Sequence, residues 1–226
     1  MRLKKLIAGD IKFQIKYGFY FLYAVLTILY SAVLLSLPQQ WRDRIATLLI
    51  FSDPAAMGMF FMGAIVLLEK SQRVLCTLAV SPVRPAEYIL SKLLSIGSIS
   101  VIAAVVIAAA IGKKHIGLLV VGTVVTSVVF TLLGMIVAAK ITSLNQFILW
   151  TVPFELIGFG PAALYLFQVD FLGFSYYPAN ICIDLVAGQV PGMQKLAVVG
   201  VLILILFRTA CKSVSKMFSE LGGAKL

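Results

Sequence analysis

EKSQRVLCTLAVSPVRPAEYILSK, residues Glu69 to Lys92, is the longest polar segment lying between two hydrophobic spans. It carries four basic residues, Lys70, Arg73, Arg84 and Lys92, and two prolines. Glu69 to Val80 fits a helix with Val74, Leu75 and Leu78 on one apolar side. Ser81-Pro82-Val83-Arg84-Pro85 cannot continue that helix, because each proline lacks a donor and restricts the residue before it. Ala86 onward restarts a helix that runs into the next hydrophobic span. The stretch therefore predicts a short amphipathic helix and a rigid turn at the water side of two membrane helices. That shape suits a groove on a soluble partner. An ordinary basic loop that only anchors topology has the same composition.

Outward from this stretch, the chain is membrane-like. Of its 226 residues 61% are hydrophobic and 12% charged, whereas a soluble domain is about half apolar and a quarter charged. Runs long enough to cross a bilayer recur. The expected fold is an all-α polytopic membrane protein in one domain. Residues 1–16 form an interfacial helix. Six membrane spans follow at 17–37, 46–68, 88–111, 116–139, 147–167 and 193–211, the last extended past Phe207 by snorkelling of Arg208. Residues 69–87 are the cytoplasmic amphipathic segment. Residues 168–192, aromatic-rich and too interrupted to span, read as a re-entrant external hairpin between spans five and six, with a short helix at Ala179 to Ala187. The tail from Lys212 is short and polar.

In the first segment Leu3, Ile7, Ile11 and Ile15 recur at helical spacing, with Lys5, Lys12 and Lys16 on another face. Such a helix lies in the headgroup plane, its lysines favoured by anionic lipid. The segment is too polar and too long for a signal-peptide n-region, so the first span is expected to be retained. The loop Gln39 to Arg44 offers Trp41 as an interface anchor. With the N-terminus inside, the inner segments hold 14 of the 19 basic residues, so the positive-inside rule places both termini in the cytoplasm. The same rule accounts for the net charge of +10 without nucleic acid. Cys76, Cys182 and Cys211 are widely spaced and do not form a disulfide framework by pattern.

The quoted segment carries a second message. Glu69 through Leu75, then Leu78-Ala79-Val80-Ser81-Pro82-Val83, then Tyr88 through Lys92, resembles the cytoplasmic loop of type-2 ABC exporter permeases. Within that family the chain looks most like small drug-export permeases, including those described as fluoroquinolone exporters. The resemblance implies that Glu69, Lys70, Arg73, Leu75, Leu78, Ser81, Pro82, Arg84, Pro85, Tyr88 and Lys92 belong to a coupling element seated in a cleft of an ATPase. It implies two cytosolic ATPase subunits, a second permease subunit, identical or related, and a prokaryotic plasma membrane. ATP and Mg would then be cofactors of the partner ATPase, with none in this chain.

The residues themselves agree that ATP is handled elsewhere. Gly117 and Gly122 have roughly phosphate-loop spacing, but Thr123 follows and the stretch is apolar. His115 is the single histidine, beside Lys113 and Lys114 in a tight turn. No metal set or hydrolase triad can be assembled from it. Glu155, with Phe154 beside it, lies about eight residues into the fifth span. An intramembrane carboxylate is a functional candidate, here for a substrate contact or gate; a structural pair, or hydration from a vestibule, accounts for it equally. Asp53-Pro54 near the start of the second span either caps and kinks the helix or faces cargo. Met57 and Phe60, with Met59 and Met62, either line a permissive hydrophobic path or pack against lipid and bundle. Peptide or bacteriocin export, or an immunity permease, is the alternative within the class. An ion-coupled secondary transporter is the alternative outside it, though no inverted repeat is visible.

Overall fold

The computed structural model describes residues 2–53, 58–113, 115–168 and 174–221. Among them every regular element is helical. The order is α1 (Arg2–Lys16), α2 (Phe19–Ser36), α3 (Gln39–Ser52), α4 (Gly58–Ser71), α5 (Val74–Ala79), α6 (Pro85–Ala110), α7 (Ile116–Lys140), α8 (Leu144–Leu166), a 3-10 turn (Phe174–Tyr176), α9 (Pro178–Ala187) and α10 (Met193–Leu221). Five of these, α2, α6, α7, α8 and α10, are long and apolar enough to cross a membrane. The expected calls at Met57, Pro54 and Lys114 lie outside the described residues.

Local chemistry sets the boundaries. Gly18, at φ 77°, separates α1 from α2, a conformation glycine adopts without steric cost. Pro38 stops α2 and opens α3. Arg84 is extended ahead of Pro85, and its backbone N–H donates to Glu87 Oε2 at 2.9 Å. That is one half of a capping box at the start of α6. The hydroxyl of Ser143 accepts from the Gln146 N–H at 3.3 Å and caps α8. Gly188, at φ 90°, closes α9, as left-handed glycines close helices generally.

Three expectations change. Residues 39–44 are helical rather than a loop, because Arg42 folds back onto the carbonyls of Leu34, Leu35 and Leu37 at 3.0–3.2 Å. These are α2's orphan C-terminal acceptors. The helix expected over Glu69 to Val80 breaks at Arg73, which takes a left-handed φ of 58°. The tail is not a polar appendage: α10 stays helical to Leu221, with Ala210, Val214, Met217 and Phe218 buried along one face. That i, i+4, i+7, i+8 pattern carries it over α5.

Helix α7 is the hub, packed against α4, α6, α9 and α10. Half of its apolar window is buried, against 17% for α8 and α10, so the latter present apolar flanks outward. Close approach at the hub requires small residues. A Cβ at Gly122 would stand 2.6 Å from the Val186 backbone nitrogen of α9, and one at Gly134 2.7 Å from the Met59 carbonyl oxygen of α4. Ala179 to Val186 are all buried, so the short helix expected there forms and is enclosed by α3, α7, α8 and α10. Helix α6 spans about 39 Å at 1.5 Å per residue, and it separates two polar ends of the bundle.

Candidate functional site

One polar end gathers most of the quoted segment. Tyr88, Ser91, Lys92 and Ser95 fall on one face of α6, at i, i+3, i+4 and i+7. Glu69 projects from the last turns of α4 toward that face. The Tyr88 hydroxyl donates to Glu69 Oε2 at 2.6 Å, and the Lys92 ammonium pairs with Glu69 Oε1. The same ammonium meets Asp10 Oδ1 of α1 at 2.6 Å, and Ser91 donates to Asp10 Oδ2. Four residues on, Gln14 Nε2 donates to Ser95 Oγ at 2.8 Å. Lys92 also stands 5.1 Å from the Tyr88 ring centroid. Lys92 is 1% exposed and Glu69 3%.

This is a buried charge cluster that ties three helices together. Two carboxylates flank one ammonium, and hydroxyl donors satisfy remaining lone pairs. Such a cluster is tolerated inside a protein only when each charge is paired and hydrogen-bonded. Removing one partner leaves an uncompensated charge. Glu69 therefore pairs across helices with Lys92, not along its own helix with Arg73.

Lys70 turns inward as well. Its ammonium donates to the carbonyls of Ala138, Ala139 and Ile141 at 2.6–3.2 Å. It caps the C-terminus of α7, where the helix dipole favours a cation. Burial pulls its pKa down, opposed by the Glu220 charge on α10.

The remaining segment residues divide by exposure. Leu75 is fully buried, and Leu78 packs beside the core. Ser81 and Pro85 are half-buried, and Ser81 Oγ donates to the Leu78 carbonyl at 2.7 Å, closing α5. Arg73, Thr77, Val80, Pro82 and Arg84 face outward, Val80 at 76% exposure. Helix α1 brackets the whole segment. Arg2 Nη1 reaches the Pro82 carbonyl at 3.2 Å, and Gln72 bonds the Tyr17 hydroxyl just beyond α1.

Lys5, Lys12 and Lys16 on α1 are exposed, as is Ile15 at 58%. The helix meets the bundle through Asp10, Phe13 and Gln14 rather than through its isoleucine stripe alone. Asp10, Gln14 and Ser91 were not singled out from the sequence. A signal was present: Asp10 is the sole acidic residue before Asp43 and stands among lysines.

The described residues considered for a cargo path come from the end of α3, from α4 and from α8. Asp53 ends α3 inside the packed bundle, and its Oδ1 has no hydrogen-bond partner among the described residues. Phe60 is half-buried and meets Phe147 of α8 edge-on at 6.2 Å. Phe154 and Glu155 lie on α8, Phe154 exposed and Glu155 half-buried, its Oε1 without a partner among the described residues. No group of three His, Cys, Asp or Glu suited to a metal ion occurs among the described residues.

Five apolar helices on an all-helical frame, with one end tied by a buried charge cluster, define a membrane-embedded helical protein of the polytopic permease class. The sequence profile of the fluoroquinolones export permease protein family matches residues 1–213. The chain belongs to that family. It is similar to two fluoroquinolones export permease proteins of Mycobacterium tuberculosis, from strains CDC 1551 / Oshkosh and ATCC 25618 / H37Rv. Each is 30% identical over 105 residues, covering 46% of this chain and 44% of the relative. The similarity thus spans less than half the length of either relative.

Proposed function

We propose that this chain is the permease subunit of an ATP-driven exporter of drug-like, amphipathic cargo. The observation that carries the reading is mechanical. The exposed turn from Val80 to Arg84 is mounted directly on the Asp10–Lys92–Glu69 cluster. A push on that turn is therefore passed to α1, α4 and α6 together rather than absorbed by a loose loop. In this reading two cytosolic ATPases bind ATP and Mg, and Arg73, Pro82 and Arg84 meet them. Glu69, Lys70, Leu75, Tyr88 and Lys92 hold the turn rigid from within.

A second permease subunit, identical or related, completes the path. Both termini are cytoplasmic in a prokaryotic plasma membrane, and Lys5, Lys12 and Lys16 face anionic lipid. Helices α3 and α4 together make the sixth crossing, and residues 168–192 cap the far side. Phe154 and Glu155, with Asp53 and Phe60, are the candidate cargo contacts.

The test is the double variant Arg73→Glu with Arg84→Glu, co-expressed with the ATPase and the second permease. Cargo flux into inverted vesicles should fall by about tenfold or more, while the unfolding midpoint stays put, because exposed substitutions shift stability by only about 0.5 kcal/mol. Unchanged flux rules out the coupling role. One observation favours a second reading: among the described residues, Asp53 and Glu155 each carry a buried oxygen without a partner, as an ion-coupled transporter would need. Flux that survives loss of the ATPase and collapses with a protonophore would select it.

A further inference from the structure

Helix α5 is too short to hold its own place. It runs only from Val74 to Ala79, between the left-handed Arg73 and the Ser81-Pro82 step. So short a helix is unstable in isolation, because nucleation costs more than so few hydrogen bonds return. Its position, and that of the turn behind it, comes from what it packs on, chiefly α4 and α10.

On α10 the buried stripe Ala210, Val214, Met217 and Phe218 is at most 8% exposed. It shares one core with Leu75 and Leu78 of α5, Val83 of the turn and Tyr88 of α6. The Phe218 ring meets the Tyr88 ring edge-on at 5.5 Å, and Tyr88 donates to Glu69. Two residues on, the Glu220 charge acts on Lys70, whose ammonium caps α7. Val214, Met217 and Phe218 follow the residues matched by the family profile, which end at 213. On the other face of these turns Lys212, Ser215 and Lys216 are exposed.

We propose that residues 212–221 of α10 are a strap that fixes α5 and the Val80–Arg84 turn in place, with Phe218 as the positioning residue. With the strap seated, the turn is one piece with the Tyr88–Glu69 pair, and its movement passes into α4 and α6. With the strap released, α5 moves by itself and the movement is lost within the segment. The consequence for transport rests on the coupling reading above, whereas the hold on α5 is a property of the chain alone.

The experiment uses the full chain with Ser215→Pro, which interrupts α10 at an exposed position while keeping every buried side chain. Ser215→Ala is its helix-keeping control. Phe218→Ala removes the ring, and Phe218→Tyr returns one of the same shape. The first readout is amide hydrogen exchange. Exchange across residues 74–83 should speed by about tenfold or more in Ser215→Pro and Phe218→Ala and keep the parent rate in the other two, with residues 95–107 of α6 protected in all four. The second readout is cargo moved per ATP hydrolysed by the complex with its ATPase, which should fall by about threefold or more in Ser215→Pro and Phe218→Ala. Unchanged exchange across 74–83 in both variants overturns the strap, as does an equal loss of protection in α6, which is general unfolding. Released α5 with undiminished cargo per ATP, where Arg73→Glu with Arg84→Glu does lower it, overturns the positioning role of Phe218. If neither set of variants lowers it, the coupling reading falls, and the strap's part in transport falls with it.

Discussion

At the α1 end, one ammonium and two carboxylates are packed into contact beneath an exposed turn. At the α9 end, Asp43, Asp184, Arg44 and Lys113 line an open cavity, and among the described residues none of them makes an ion pair. The same residue types thus serve opposite ends. Paired and buried, charge cross-links helices from distant parts of the chain and transmits force. At the cavity, hydrogen bonds to Thr47, Val186 and Tyr165 hold Lys113 and Asp184 instead.

The contrast can be broken most severely at Lys92. Lys92→Met should strand Asp10 and Glu69 as buried charges and cost about 3–5 kcal/mol, read as a large drop in unfolding midpoint or loss of folded protein from the membrane. Adding Asp10→Asn and Glu69→Gln should recover part of the loss, because the stranded charges are then gone. No recovery would mean that the cluster's packing, not its charge balance, holds α1 to α6.

A smaller effect is expected where α9 seats on α7. Gly122→Ala places a Cβ against the Val186 backbone and should cost about 1–3 kcal/mol by overpacking. The variant should leave the charge-cluster end intact. Retained stability would show that α9 is not fixed by this contact.

The smallest effect is in pH. Burial raises the Asp184 carboxyl, with Lys195 and the Tyr165 hydrogen bond opposing. Burial lowers the Lys113 ammonium, with Asp43 opposing. Arg44 and His115 are the other basic residues lining the cavity. Asp184 therefore binds its proton more tightly folded than unfolded and withdraws stability as pH rises through the carboxylate range, whereas Lys113 withdraws stability as pH falls through the lysine range. Asp184→Asn should flatten the acid limb of the unfolding midpoint against pH, and Lys113→Gln the alkaline limb. Limbs unchanged in both variants would separate these two groups from stability.

Much of the fold was legible in the sequence, for local reasons. Apolar runs marked α2, α6, α7 and α8 to within a few residues. The Ser81-Pro82 and Arg84-Pro85 steps marked the turn, because proline acts on its own neighbours. The α10 extension was written at Ala210, Val214, Met217 and Phe218 as a helical stripe, masked by the lysines around it. The break at Arg73 was not legible, since left-handed arginine has no sequence signature.

What the sequence by itself determined is the helical membrane class, the position of the exposed turn and the family, all of which follow from hydrophobic run length and residues adjacent in the chain. What only the tertiary structure decided is the partner of each charge. Asp10 and Lys92 are 82 residues apart, and Glu69 and Lys92 are 23 apart. Lys70 was one more basic residue until the end of α7 came to rest beside it. A lysine's chemistry is the same at every position; packing alone sets which carboxylate or carbonyl it meets in a water-poor interior, and which charges are left to line a cavity.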